Sequence, residues 1–195
     1  MNAIRLHQIE ALPRDDEFMV FKSTNHLVAM YDFLSVVSRC CENPRIVWLH
    51  RDPVPMIRST IPFMKAIQKR FVGDLGVDDV AALNTNTIRF TEVQLRNALA
   101  AREAWLAENP DNKKMLLDVS FKKLVSEPKE TVKEIYSYFG MDFAADVEAK
   151  LDATLADQNT QKKVKYVPPP EFFTFDEADT RKKFEFYNAA FPDLL

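Results

Sequence analysis

Apolar positions along the chain fall into two patterns. Three short runs, Phe18-Met19-Val20-Phe21, Ile46-Val47-Trp48-Leu49 and Met115-Leu116-Leu117-Asp118-Val119, are continuous rather than alternating. Continuous runs of that length predict strands covered on both faces, as in a parallel sheet. Elsewhere the apolar residues recur at helical spacing. After Phe21, the polar cluster Ser23-Thr24-Asn25 offers an N-cap to a helix carrying Leu27, Tyr31, Leu34, Val37 and Ser38. Residues 53–70 also read as helical, and Pro62 predicts a kink or a division into two helices there. The longest helical stretch is residues 85–108, with Ile88, Leu95, Leu99, Trp105 and Leu106 near one face and Asn109-Pro110 as its stop. Past the third run, Pro128 suits a first turn, Val132, Ile135, Tyr136 and Phe139 follow, and Gly140 supplies a left-handed stop. Further helices are predicted at residues 144–156 and 177–190. Between them, residues 157–170 turn polar, then basic, then proline-rich, and read as an arm.

Strands separated by helices predict an α/β fold, a parallel sheet flanked by helices, with ligands at the carboxyl ends of the strands. The chain has 195 residues, 47% of them hydrophobic, which suits one domain over residues 1–195: a core at 18–157 and a C-terminal arm and helix at 158–195. A formal net charge of -3 argues against a general nucleic-acid binder, so any anion site must be local. Cys40 and Cys41 are neighbours and rarely bridge, and no Cys or His spacing suggests a metal. A reducing, cytoplasmic setting is expected. No apolar run approaches the roughly 18 residues of a membrane helix, and no signal-peptide pattern is present.

Two clusters could carry chemistry. Arg51 follows the second run directly, and Ser59 lies eight residues on, in "RIVWLHRDPVPMIRST". A guanidinium at a strand end can grip a phosphate bidentately beside the free N–H groups of the next helix, and a hydroxyl further along can donate to the same anion. The same residues also make a plain capped turn, with Asp52 as N-cap and Arg51 in a surface ion pair; spacing leaves both readings open. Lys22 and His26, in "FKSTNH", pair a cation with an imidazole that titrates near neutrality, a combination suited to charge stabilisation and proton removal. Their structural alternative is a half-buried histidine at a helix start and a solvated lysine. Lys163, Lys165 and Tyr166 could approach an anionic cofactor, Tyr166 stacking on a base, or could form a solvated arm. His50 reads as a satisfied structural residue, His7 as part of an exposed N-terminal helix, and Trp48 and Trp105 as core.

Together these segments resemble the sulfotransferase family that uses 3′-phosphoadenosine 5′-phosphosulfate, particularly its bacterial-type, carbohydrate-related branch. "HRDPVPMIRS" is similar to the family's Arg-Asp-Pro segment with a Ser eight residues later, "KSTNH" to its Lys-Ser-Pro-x-His segment with Thr24 in place of Pro, and "DVSFKKLVSEPKETVKEIYSYFGM" to its later strand, turn and helix. The resemblance implies a P-loop NTPase-like fold and sulfuryl transfer to a hydroxyl or amine of a small-molecule, carbohydrate or lipid acceptor. It implies His26 as general base, Lys22 as charge stabiliser, and Arg51 with Ser59 as the 3′-phosphate site. The family's 5′-phosphosulfate loop is expected to be missing: Gly73, Gly76 and Gly140 are the only glycines, and none belongs to a G-x-x-x-x-G-K-[ST] pattern. The chain is therefore expected to correspond to an N-terminally truncated domain. The alternative function is a non-catalytic module that binds 3′-phosphoadenosine nucleotides or a protein.

Overall fold

The structure, a computed structural model, describes residues 20–72, 79–160 and 167–195. It is mostly helical, with a small parallel sheet. Strand β1 (Ile46–His50) pairs in register with β2 (Leu116–Ser120), so Ile46 lies beside Leu116 and His50 beside Ser120. Helix α1 (Met30–Cys40) precedes β1. Helices α2 (Pro53–Val72) and α3 (Val80–Glu108) make up most of the crossover between the strands. After β2 come α4 (Phe121–Ser126), α5 (Pro128–Tyr138), α6 (Ala145–Thr160), α7 (Glu177–Lys183) and α8 (Glu185–Ala190).

Paired residues of parallel strands point the same way, so Ile46, Trp48, His50, Leu116, Asp118 and Ser120 share one face. Ile46, Trp48 and His50 are buried there. A single apolar cluster joins Ile46, Trp48 and Leu116 to Leu34 of α1, Ile57 and Ile61 of α2, Leu95 and Trp105 of α3, and Phe184, Tyr187 and Phe191 at the C-terminal end. On the opposite face Val119 is buried, but Val47 and Leu49 stay 40% and 44% exposed. The expectation of strands covered on both faces therefore fails for β1, which alternates buried and exposed. A four-residue apolar run fits either arrangement, so the run alone does not decide it.

Several boundaries differ from the sequence reading. Of the first run, Phe18 and Met19 lie outside the described residues, while Val20 and Phe21 belong to no strand and are exposed. The following segment opens as a 3₁₀ turn, Thr24–Ala29, and the α-helix starts at Met30 with no side-chain cap from Ala29. The cluster Ser23-Thr24-Asn25 thus does not cap α1. Pro62 leaves α2 as one helix. Ile57 and Ile61 beside it are fully buried. Burial of each is worth about 1.5–3 kcal/mol, enough together to offset the ~3 kcal/mol cost of an interior proline. Helix α6 runs on to Thr160, into the expected arm, and the last predicted helix divides into α7 and α8 at Phe184. The long α3, the β2 position, Pro128 at the start of α5 and the left-handed Gly140 (φ 61°) all agree with the sequence. No helix among the described residues is long and apolar enough to cross a membrane, and no group of three or more His, Cys, Asp or Glu could hold a metal ion among them.

Candidate functional site

Arg51 leaves the carboxyl end of β1 and is half-buried. Its guanidinium lies 4.9 Å over the ring of Phe121, the first residue after β2, so it spans the ends of both strands. Its one hydrogen bond among the described residues is long, 3.5 Å from Nη2 to the Pro55 carbonyl. No carboxylate pairs with Arg51 among the described residues. Most of its five donors therefore remain available to an anion.

The residues around it are committed. Asp52 caps α2, accepting from Val54 N at 2.9 Å through Oδ1, while Oδ2 accepts from Arg181 at 2.8 Å. Asp52 as N-cap is thus correct, but the ion pair at this turn belongs to Asp52 rather than Arg51. The expectation that the first N–H groups of α2 face a phosphate is not met. Pro53 and Pro55 carry no N–H, Val54 N is capped, and Met56 N donates to the Asp52 carbonyl at 3.2 Å. The first turn of α2 therefore offers an anion no free main-chain amide. Ser59 is exposed, and its hydroxyl donates to the Met56 carbonyl at 2.7 Å. Arg51 and Ser59 thus address neighbouring carbonyls of one helical turn, without a hydrogen bond between them. Ser59 must release Met56 to donate elsewhere.

His26 lies in the 3₁₀ turn, half-buried and stacked on Phe33 with ring centroids 4.2 Å apart and planes 11° from parallel. Neither of its ring nitrogens has a hydrogen-bond partner among the described residues, which leaves one lone pair to accept a proton. Lys22 is exposed and has no ion pair among the described residues; it follows Val20 and Phe21, which belong to no strand. Lys163, Lys165 and Tyr166 lie outside the described residues.

Beside Arg51 stands a buried polar chain that the sequence reading reduced to a satisfied histidine. His50 is fully buried, with Nε2 2.8 Å from Asp118 Oδ1 and Nδ1 2.7 Å from the Tyr187 hydroxyl. Arg102 donates to both oxygens of Asp118, at 2.9 and 2.5 Å, and lies over the rings of Trp48 and Phe191. One neutral tautomer satisfies every contact: Nε2–H donates to the carboxylate, and Nδ1 accepts from the tyrosine. Burial pushes the Asp118 carboxyl up, but the hydrogen bonds from His50 and Arg102 outweigh it and hold the group below its ordinary value. Burial, with the Asp118 charge, pushes the Tyr187 phenol up, so its proton stays on. Two sequence signals pointed here. Asp118 interrupts an apolar strand, and Arg102 interrupts the stripe of Leu95, Ala98, Leu99, Trp105 and Leu106 on α3.

Two cavities lie elsewhere. One of about 220 Å³ is bordered by Arg102, Asp118, Lys113 and Tyr138; the other, about 560 Å³, runs along β2 between Lys122, Lys123 and the terminal Leu194-Leu195. Neither is lined by Lys22, His26, Arg51 or Ser59.

A sequence profile of the sulfotransferase family matches residues 1–145, which hold all of the sheet and the Arg51 corner. The chain belongs to the sulfotransferase family. No curated protein and no solved structure gives a significant match. Membership in the sulfotransferase family implies a transferase on a P-loop-like fold, and the parallel β1–β2 pair with its crossover helices is the part of such a fold visible here. Residues 177–190 of this sulfotransferase, which close over His50 and Asp52, lie beyond the match.

Proposed function

We propose that this sulfotransferase binds 3′-phosphoadenosine 5′-phosphosulfate by its 3′-phosphate and transfers the sulfuryl group to a hydroxyl or amine of a small-molecule, carbohydrate or lipid acceptor. The observation that carries the reading is Arg51, a half-buried guanidinium at the carboxyl ends of both strands, with an aromatic floor and no carboxylate partner among the described residues. Such a group is suited to a doubly charged phosphate. The nucleotide, when bound, would supply the activated sulfuryl group as co-substrate; the residues bind and orient it. Arg51 and Ser59 hold the 3′-phosphate, Lys163, Lys165 and Tyr166 are further candidates for the nucleotide, and Lys22 stabilises oxygen charge near the transferring group. His26 takes the proton of the acceptor as its oxygen or nitrogen bonds to sulfur and the sulfur–oxygen bond to the nucleotide breaks. Positioning and charge stabilisation then supply most of the rate, as in phosphoryl transfer.

Isothermal titration with adenosine 3′,5′-bisphosphate and adenosine 5′-monophosphate tests the anchor. Arg51→Ala is expected to weaken the bisphosphate about 10- to 150-fold, in keeping with a charge-assisted bond worth roughly 1.5–3 kcal/mol, and to leave the monophosphate nearly unchanged. Equal losses reject the anchor. A second reading, binding without transfer, draws on the lack of a glycine-rich phosphate loop motif in the 195 residues. Selective bisphosphate binding with no sulfuryl transfer to any acceptor class would support that reading instead.

A further inference from the structure

One C-terminal element ties down the Arg51 corner at three points. The Tyr187 hydroxyl of α8 meets Nδ1 of His50, the residue before Arg51, at 2.7 Å. Arg181 of α7 meets Oδ2 of Asp52, the residue after Arg51, at 2.8 Å. Glu177 of α7 pairs with Arg58, the residue before Ser59, and the Arg58 guanidinium also lies 4.5 Å over Phe173. His50 is further pinned by Asp118 at 2.8 Å and by the Phe191 ring, 3.8 Å between centroids. Both chain neighbours of Arg51 are therefore held by residues 177–190.

The direction of a side chain follows from its backbone, and fixing the residues on either side leaves the Arg51 backbone little freedom. Arg181 has a second, electrostatic effect. Arg51 and Asp52 alone sum to zero charge at the corner, and Arg181 makes the sum +1 where an incoming phosphate would otherwise meet an uncompensated carboxylate.

We propose that the helix pair α7–α8 is the positioning element of the 3′-phosphate anchor, with Tyr187 and Arg181 as positioning residues that act on Arg51 through His50 and Asp52. The proposal rests on the reading of Arg51 as that anchor. It accounts for a polar bond reaching His50 across the buried cluster and for an ion pair placed on the capping residue of α2.

The test is nucleotide titration of the full chain with Tyr187→Phe, Arg181→Ala, Arg181→Lys and the double variant Arg51→Ala/Tyr187→Phe. Tyr187→Phe and Arg181→Ala are each expected to weaken adenosine 3′,5′-bisphosphate by about 5- to 10-fold while the monophosphate is unaffected, and Arg181→Lys to recover most of the loss. In the Arg51→Ala background, Tyr187→Phe is expected to have no further effect. Equal weakening of both nucleotides, or full additivity in the double variant, overturns the proposal, because a merely structural role gives those results. A wild-type chain that does not prefer the bisphosphate defeats the anchor reading itself. Amide hydrogen exchange then decides the tether: faster exchange confined to residues 50–59 in Tyr187→Phe and Arg181→Ala sustains it, and unchanged exchange overturns it.

Discussion

Asp118→Leu removes the acceptor shared by His50 and Arg102 while keeping a side chain of similar bulk. In the native chain Asp118 and Arg102 are 22% and 18% exposed, and His50 is fully buried. Breaking a buried pair by deleting one partner costs about 3–5 kcal/mol. Some water reaches both members of this pair, so the lower end, about 3 kcal/mol, is expected, including the unpaired Nε2–H of His50. For a chain of this size that lowers Tm by roughly 6–12 °C. Adding Arg102→Leu removes the stranded cation and is expected to recover part of the loss, leaving about 1–2 kcal/mol for the histidine alone. Urea and thermal unfolding at pH 7 measure both variants. The pH dependence supplies a further check. A carboxylate held below its ordinary value of 3.8 contributes fully above that pH and loses its contribution as pH falls through the lowered value in the folded state. The stability gap between native chain and Asp118→Leu should therefore be flat near neutrality and shrink below about pH 4. A gap under about 1 kcal/mol at pH 7, or a double variant less stable than Asp118→Leu, would refute the account of the network as a mutually dependent buried set.

Three other outcomes are expected. Asn84 is buried, donates to the Val80 and Phe172 carbonyls at 2.7 and 2.9 Å and accepts from Thr174 N at 3.3 Å. Asn84→Ala should cost about 2–3 kcal/mol by stranding those groups, and limited proteolysis should show earlier cleavage near residues 167–175. A Cβ at Gly140 meets nothing within 4 Å, so Gly140→Ala should cost only the backbone strain of φ 61°, about 1 kcal/mol, and Gly140→Asn less, by urea unfolding. Lys129, hydrogen-bonded to Glu148 and Asp152, is pushed up to about 12. A raised base contributes below its ordinary value of 10.5 and loses that contribution as pH rises through the raised value, so the small Tm difference between native chain and Lys129→Met should hold to about pH 10 and vanish near 12. Exposure keeps that difference small.

Local signals served the helices and strands well where they were strong and uncontested. The apolar stripe of α3, the Asn109-Pro110 stop, the β2 run and Gly140 each left one physical option, and the fold took it. Pro62 misled because its cost is local while the burial of Ile57 and Ile61 that offsets it is tertiary. The run ending at Phe21 had the composition of a strand, but a strand needs a neighbour to satisfy its backbone, and Val20 and Phe21 have no ladder partner among the described residues. Near the candidate site the sequence placed Arg51 after a strand and Asp52 at a helix cap, where both stand, because the strand end and the Asp-Pro cap are both local. It could not supply Phe121, Arg181 or Tyr187, which meet the corner from 70, 129 and 137 residues away in the chain of contacts through Arg51, Asp52 and His50.

Pro53 and Pro55 determine how the proposed phosphate preference of this corner would be encoded. A cradle of main-chain amides keeps its affinity through almost any substitution, since every residue type but proline carries the same donor. The mouth of α2 presents no such cradle. This turn can meet an anion only through exchangeable side chains, so a few point changes there would suffice to retune or erase the proposed preference while the scaffold beneath stays intact.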